Sequence, residues 1–167
     1  MFSAGEYIVY GTSGVCEIIE ICKSPFSKED LRDFYLLHPI KEKQELKIYT
    51  PVDNPNVMMR KLMDKAALEV FIQKIPEIQP LVVPVEKNRR DIYRQALSST
   101  EPEKCMSLLK TIHARRAVFA ELKRRLPETD LEFEELAKES LFRELSIVLD
   151  IPFSDVNTYI TKHVDEA

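Results

Sequence analysis

The chain has 167 residues, 44% hydrophobic and 31% charged, with a formal net charge of −4. This is the composition of a soluble globular protein long enough to bury one medium core or two small ones, and it excludes a disordered chain. No apolar run approaches the roughly 18 residues that cross a bilayer, and no basic segment leads into an apolar stretch at the start, so a cytoplasmic location is expected.

All three glycines, Gly5, Gly11 and Gly14, fall within the first 14 residues. Glycine tolerates positive φ, so such a concentration marks tight turns. The β-branched and aromatic residues around them read as strands, and the segment predicts a β-hairpin. Residues 1–22 and 33–52 read as short strands separated by a polar, turn-rich loop over 23–32. Phe34-Tyr35-Leu36-Leu37 is a buried run. From Leu46 to Val52 the pattern alternates, with Leu46, Ile48, Thr50 and Val52 on one face and Lys47 and Tyr49 on the other. Pro51 lacks an N–H, which places that strand end at an edge. Four or five short strands in about 55 residues predict a small, strongly bent barrel.

Helical spacing follows. Asp64 is expected to cap a short helix carrying Ala67, Leu68, Phe71 and Ile75. Pro76, Pro80 and Pro84 then predict an extended linker over 76–86, and the chain is helical from residue 87. Thr100-Glu101-Pro102-Glu103 and Thr129-Asp130-Leu131-Glu132 both read as capping boxes that start helices. On the first helix Cys105, Leu108, Leu109, Ile112, Phe119, Leu122 and Leu126 form the apolar stripe. Arg115, Arg116 and Lys123 fall near it, so either their aliphatic stems cover the core edge or the helix breaks near residue 115. The second helix is the clearest, with Phe133, Leu136, Ala137, Ser140, Leu141, Leu145, Val148 and Leu149 at helical spacing. Pro152 opens a last short helix.

The charge is uneven. Residues 1–86 carry a net −3, residues 87–125 a net +7, and residues 126–167 a net −8. The basic stretch can attract a phosphate backbone or neutralise the acidic segment after it, and the residues alone leave both open. Cys16, Cys22 and Cys105 are scattered and odd in number, as free thiols of a reducing compartment are. His38, His113 and His163 form no metal-binding spacing, no glycine-rich phosphate loop is present, and Glu134, Glu135 and Glu139 read as a solvated acidic face. The expectation is a protein that is not an enzyme and takes no cofactor or metal.

Phe2-x-x-Gly5-Glu6-Tyr7-Ile8-Val9-Tyr10, Gly14-Val15-Cys16, Tyr35-Leu36-Leu37 and Ile48-Tyr49-Thr50-Pro51-Val52-Asp53-Asn54 resemble the CarD/CdnL family of bacterial transcription regulators. Their β module is shared with transcription-repair coupling factors. Looser similarity continues through Tyr93-Arg94-x-Ala96-Leu97, Arg115-Arg116 and Glu144-Leu145-Ser146-x-Val148-Leu149-x-Ile151-Pro152. The resemblance implies an α+β protein in which a Tudor-like β-barrel module (1–75, closed by a short helix) binds the RNA polymerase β subunit. A linker (76–86) and a helical domain (87–167) follow. That domain would contact promoter DNA without reading its sequence and change open-complex stability. Lys23, Lys47 and Tyr49 are the expected polymerase contacts. Lys87, Arg89, Arg90, Arg94, Arg115, Arg116, Lys123, Arg124 and Arg125 are the expected DNA contacts. Family members often wedge a Trp into the opened DNA junction, whereas this chain has no Trp. Leu81 or Val85 is the candidate replacement. The alternative is a protein-interaction adaptor whose basic and acidic segments satisfy each other.

Overall fold

The computed structural model describes residues 1–41 and 46–165. Five strands, β1 (Tyr7–Tyr10), β2 (Gly14–Lys23), β3 (Asp33–Pro39), β4 (Ile48–Pro51) and β5 (Met59–Lys61), form one antiparallel sheet in the order β4-β3-β2-β1-β5. β1 and β2 make the expected hairpin, joined by a 3₁₀ turn over Gly11–Ser13. β2 and β3 slip register between Ile18 and Glu20, leaving Ile19 as the extra residue of a bulge that bends the sheet. The bend does not close a barrel. β4 and β5 stand at opposite edges, and no pairing joins them among the described residues.

One face of the sheet buries Ile8, Cys16, Ile18, Tyr35 and Leu37 completely, and Phe2, Tyr10, Ile48, Val52 and Met59 close over them. Val9 and Val15 alternate onto the other face, where the sheet meets the helices.

The helices are α1 (Lys65–Lys74), α2 (Arg89–Ser98), α3 (Pro102–Glu121), α4 (Glu128–Leu149) and α5 (Val156–Asp165). The side chain of Asp64 caps α1 as expected, accepting the Ala67 N–H at 2.7 Å. Leu68, Phe71, Ile72 and Ile75 are buried in one core with α2–α5, so α1 packs with the helices, and Ala67 is exposed. Residues 76–86 run as a strap along the helices. Leu81 donates its N–H to Thr111 Oγ1 at 2.8 Å, and the Lys110 ammonium holds the carbonyls of Ile75 and Ile78.

Neither capping box forms. Thr100 is in the left-handed region (φ 61°) and its carbonyl accepts a 2.6 Å bond from Arg60 Nε, so α3 begins without a side-chain cap. α4 begins one residue before Thr129, after Pro127, and Asp130 turns inward to bind Arg115 and Tyr93. In both cases a tertiary partner took the side chain or backbone that a local cap would have used.

Sheet and helices are locked together at Glu144. This fully buried carboxylate accepts two 2.7 Å bonds from the Arg60 guanidinium and a third from the Met63 N–H. Gly14 (φ 77°) allows the sheet to come close to α4: a Cβ there would lie 3.3 Å from the Ser140 backbone. No helix among the described residues is long and apolar enough to cross a membrane.

Candidate functional site

Two surfaces carry the candidate residues. The first is the open edge at β4. Val52 donates its N–H inward to Asp33 O at 3.0 Å. By the two-residue alternation of an antiparallel ladder, Thr50 and Ile48 also direct their peptide groups to β3. Tyr49 then directs its peptide groups outward, whereas Pro51 has no N–H and its carbonyl already accepts the Asn54 N–H at 3.1 Å. Lys47 and Tyr49 are exposed, while Thr50 is buried, as the alternation of the sequence predicts.

Beside this edge the sequence reading missed Phe26. Its ring is 75% exposed and packs edge-on against both Tyr49 and Phe34, with centroids 6.1 Å away in each case. The loop that carries it is held at its start by Ser24 Oγ, which accepts the N–H groups of Phe26 and Ser27. Lys23, expected to touch polymerase, bonds Leu31 O at 3.1 Å and Asp33 at 2.8 Å, bracing the same loop while its side chain stays largely exposed. The signal for Phe26 was available: an aromatic residue inside a mostly polar loop has no core to serve.

The second surface is the basic one. α3 runs unbroken past residue 115, so Arg115 is not at a break; its guanidinium lies over the Phe119 ring and bonds Asp130 at 2.9 and 3.1 Å. Arg90 binds Glu132 at 2.9 and 3.1 Å, and Arg116 binds Glu134 at 2.6 and 2.7 Å. Arg89 binds Glu86 and donates to the Tyr93 hydroxyl. The acidic first half of α4 therefore neutralises three of the arginines assigned to DNA. The Arg116 ion pair holds the Glu134 carboxyl below its ordinary 4.5.

Lys87, Arg94, Lys123 and Arg124 are exposed and enter no ion pair among the described residues, and Arg125 reaches Glu128 only at 3.8 Å. Lys123 stands in the left-handed region (φ 55°) where α3 ends, so Lys123, Arg124 and Arg125 project from the α3–α4 turn. Lys87, Arg89, Arg90 and Arg115 line a cavity of about 200 Å³ against the start of α4, shared with Glu86 and Asp130. On the strap next to it, Leu81 and Val83 pack against the helical core, whereas Val82 is 79% and Val85 46% exposed. Leu81 is thus committed to the core, and the exposed aliphatic pair is Val82 and Val85.

The three cysteines are free; burial pushes the Cys16 and Cys105 thiols up to about 12.

No curated protein matches the chain. Residues 2–63 match the family model described as CarD-like/TRCF RID domain. The match covers all five strands and ends just before α1, so it contains the β4 edge and the loop bearing Phe26. The β-sheet part of this chain is therefore similar to the CarD-like/TRCF RID domain, the family that its opening strands resemble.

Proposed function

We propose that the protein is a CarD-like transcription regulator that docks on the RNA polymerase β subunit through its β4 edge and contacts promoter DNA through the helical part. The carrying observation is that the RID match coincides with an open sheet edge, flanked by Tyr49 and the exposed Phe26. A partner strand can pair with the outward peptide groups of Tyr49 while an apolar side chain covers Phe26. Its role is non-catalytic and cytoplasmic. DNA contact is to the phosphate backbone, carried by Lys87, Arg94, Lys123, Arg124 and Arg125, with Val82 or Val85 in place of the missing Trp. Short aliphatic side chains stack less well than an aromatic ring, whose contact is worth about 1–3 kcal/mol per base, so the effect on open-complex lifetime is modest.

Two measurements test this. Lys47→Glu with Tyr49→Ala should abolish binding to purified polymerase while the circular dichroism spectrum is unchanged; undiminished binding rejects the β4 edge. For DNA, Lys123→Ala with Arg124→Ala should flatten the dependence of log K on log salt by about 2, whereas Arg90→Ala with Arg116→Ala should not change it.

The second reading is an adaptor without DNA binding, favoured by the pairing of Arg90, Arg115 and Arg116 with α4 carboxylates. Absence of salt-dependent DNA affinity in the wild type would establish it.

A further inference from the structure

A groove of about 600 Å³ opens between α3, α4 and α5. On α3 it is lined by Met106, Leu109, Lys110, His113 and Arg116, one face of the helix, which spans about 15 Å from the first to the last. α4 runs antiparallel to α3 and adds Glu134, Lys138 and Phe142, and α5 adds Asn157 and Ile160. The groove is divided by chemistry along its length. Met106, Leu109, Phe142 and Ile160 form an apolar floor, recessed to 6–8% exposure. Arg116, His113 and Lys138 gather at the other end.

The charge at that end is only partly cancelled within the groove, because Glu134 pairs with Arg116 and Lys138 remains. Both Glu134 oxygens are taken by Arg116, which leaves the Lys138 ammonium, one helical turn away, without that carboxylate. The Lys110 ammonium is engaged by the Ile75 and Ile78 carbonyls, so its methylenes are what it lends to the side of the floor.

We infer that this groove binds a small amphipathic anion, a carboxylate head on a linear apolar chain. The head lies against Lys138 beside His113, and the chain lies over Leu109, Met106 and Phe142 toward Ile160. Volume and polarity argue for a free ligand. The groove is within the roughly 300–1,000 Å³ of small-molecule sites between bundled helices, whereas a partner helix about 10 Å across would not reach a floor recessed between three others. The recess also keeps the floor from a flat bilayer surface. The inference is independent of the polymerase and DNA reading.

The test is a titration of the isotope-labelled chain with decanoate below its micelle concentration, followed by amide chemical shifts, with decanol and butyrate as controls. Decanoate should give saturable shifts confined to the groove residues, decanol should bind at least about fivefold more weakly, and butyrate should not bind. Lys138→Glu should weaken decanoate at least about fivefold and leave decanol unchanged. Asn157→Trp, which fills the groove from an exposed α5 position, should remove binding of both while the melting curve shows an intact fold. Shifts that do not saturate or that spread over the sheet, equal affinity for decanol, or insensitivity to Lys138→Glu would overturn the inference. Co-sedimentation with phosphatidylglycerol vesicles without decanoate shifts would overturn it in favour of a lipid surface.

Discussion

Replacing Glu144 tests how the sheet is held on the helices. Its carboxylate is buried, and each oxygen receives a 2.7 Å bond from Arg60, with a further 2.7 Å bond from the Met63 N–H. Glu144→Ala leaves the Arg60 guanidinium, only about a quarter exposed, without its counter-charge and Met63 without an acceptor. Breaking a buried pair from one side costs about 3–5 kcal/mol. Arg60 retains the Thr100 and Lys61 carbonyls, so the lower part of that range, about 3–4 kcal/mol, applies. Arg60→Met is the more damaging change, about 4–5 kcal/mol, because it strands a fully buried carboxylate. With a urea slope of about 2 kcal/mol per molar, Glu144→Ala should lower the unfolding midpoint by about 1.5–2 M. The double variant Arg60→Met, Glu144→Leu should recover most of the loss, since apolar replacements of a buried pair are often neutral. Equilibrium urea unfolding of these variants together with Glu144→Leu, the single change that matches the double, gives the full cycle. If each single change costs less than about 1 kcal/mol, the pair behaves as a surface salt bridge and the lock does not exist.

Tyr93→Phe removes a buried hydroxyl that donates to Asp130 at 2.6 Å and accepts from Arg89 at 3.0 Å, and whose titration burial pushes up to about 12. The expected loss is about 1–3 kcal/mol in urea unfolding. Gly14→Ala should cost roughly 2–3 kcal/mol, because its φ of 77° and ψ of −148° belong to a region nearly closed to other residues and the new Cβ meets the Ser140 backbone. Glu134 is held below its ordinary 4.5, so its folded form binds fewer protons than its unfolded form near that pH. Its stabilisation is therefore present above about pH 4.5 and lost as pH falls through the folded value. The stability gap between wild type and Glu134→Gln should hold above about pH 4.5 and narrow as the pH is lowered below it in denaturant titrations.

The local elements were legible where the governing interaction is local. Period-2 alternation from Ile48 to Thr50, glycines at positive φ, and the Asp64 cap all depend on neighbours in sequence. The helices do start near Thr100 and Thr129 as expected, but their caps were misread because those environments are set by Arg60 and Arg115, distant in the chain. Barrel closure was equally out of reach. The edge of β5 meets the helical part through Arg60 rather than meeting β4, and nothing in three strand residues announces that choice. Glu144 and Asp130 did leave a trace. Asp130, Phe133, Ala137, Leu141 and Glu144 share one stripe of α4, so two carboxylates sit where the spacing calls for apolar side chains. A charged residue on a buried stripe implies a buried partner, and Arg60 and Arg115 are those partners. The basic segment could not be apportioned from sequence, because its division between α4 carboxylates and solvent depends on how α3 and α4 align.

An uncovered sheet edge is also a hazard, since any extended chain can template on it and copies can stack into fibres. β4 limits that hazard by its composition. It has four residues, Lys47 precedes it, and Pro51 ends it with a position that cannot donate. The run open to pairing is therefore short, flanked by a charge and stopped by a proline, each of which disfavours propagation from copy to copy.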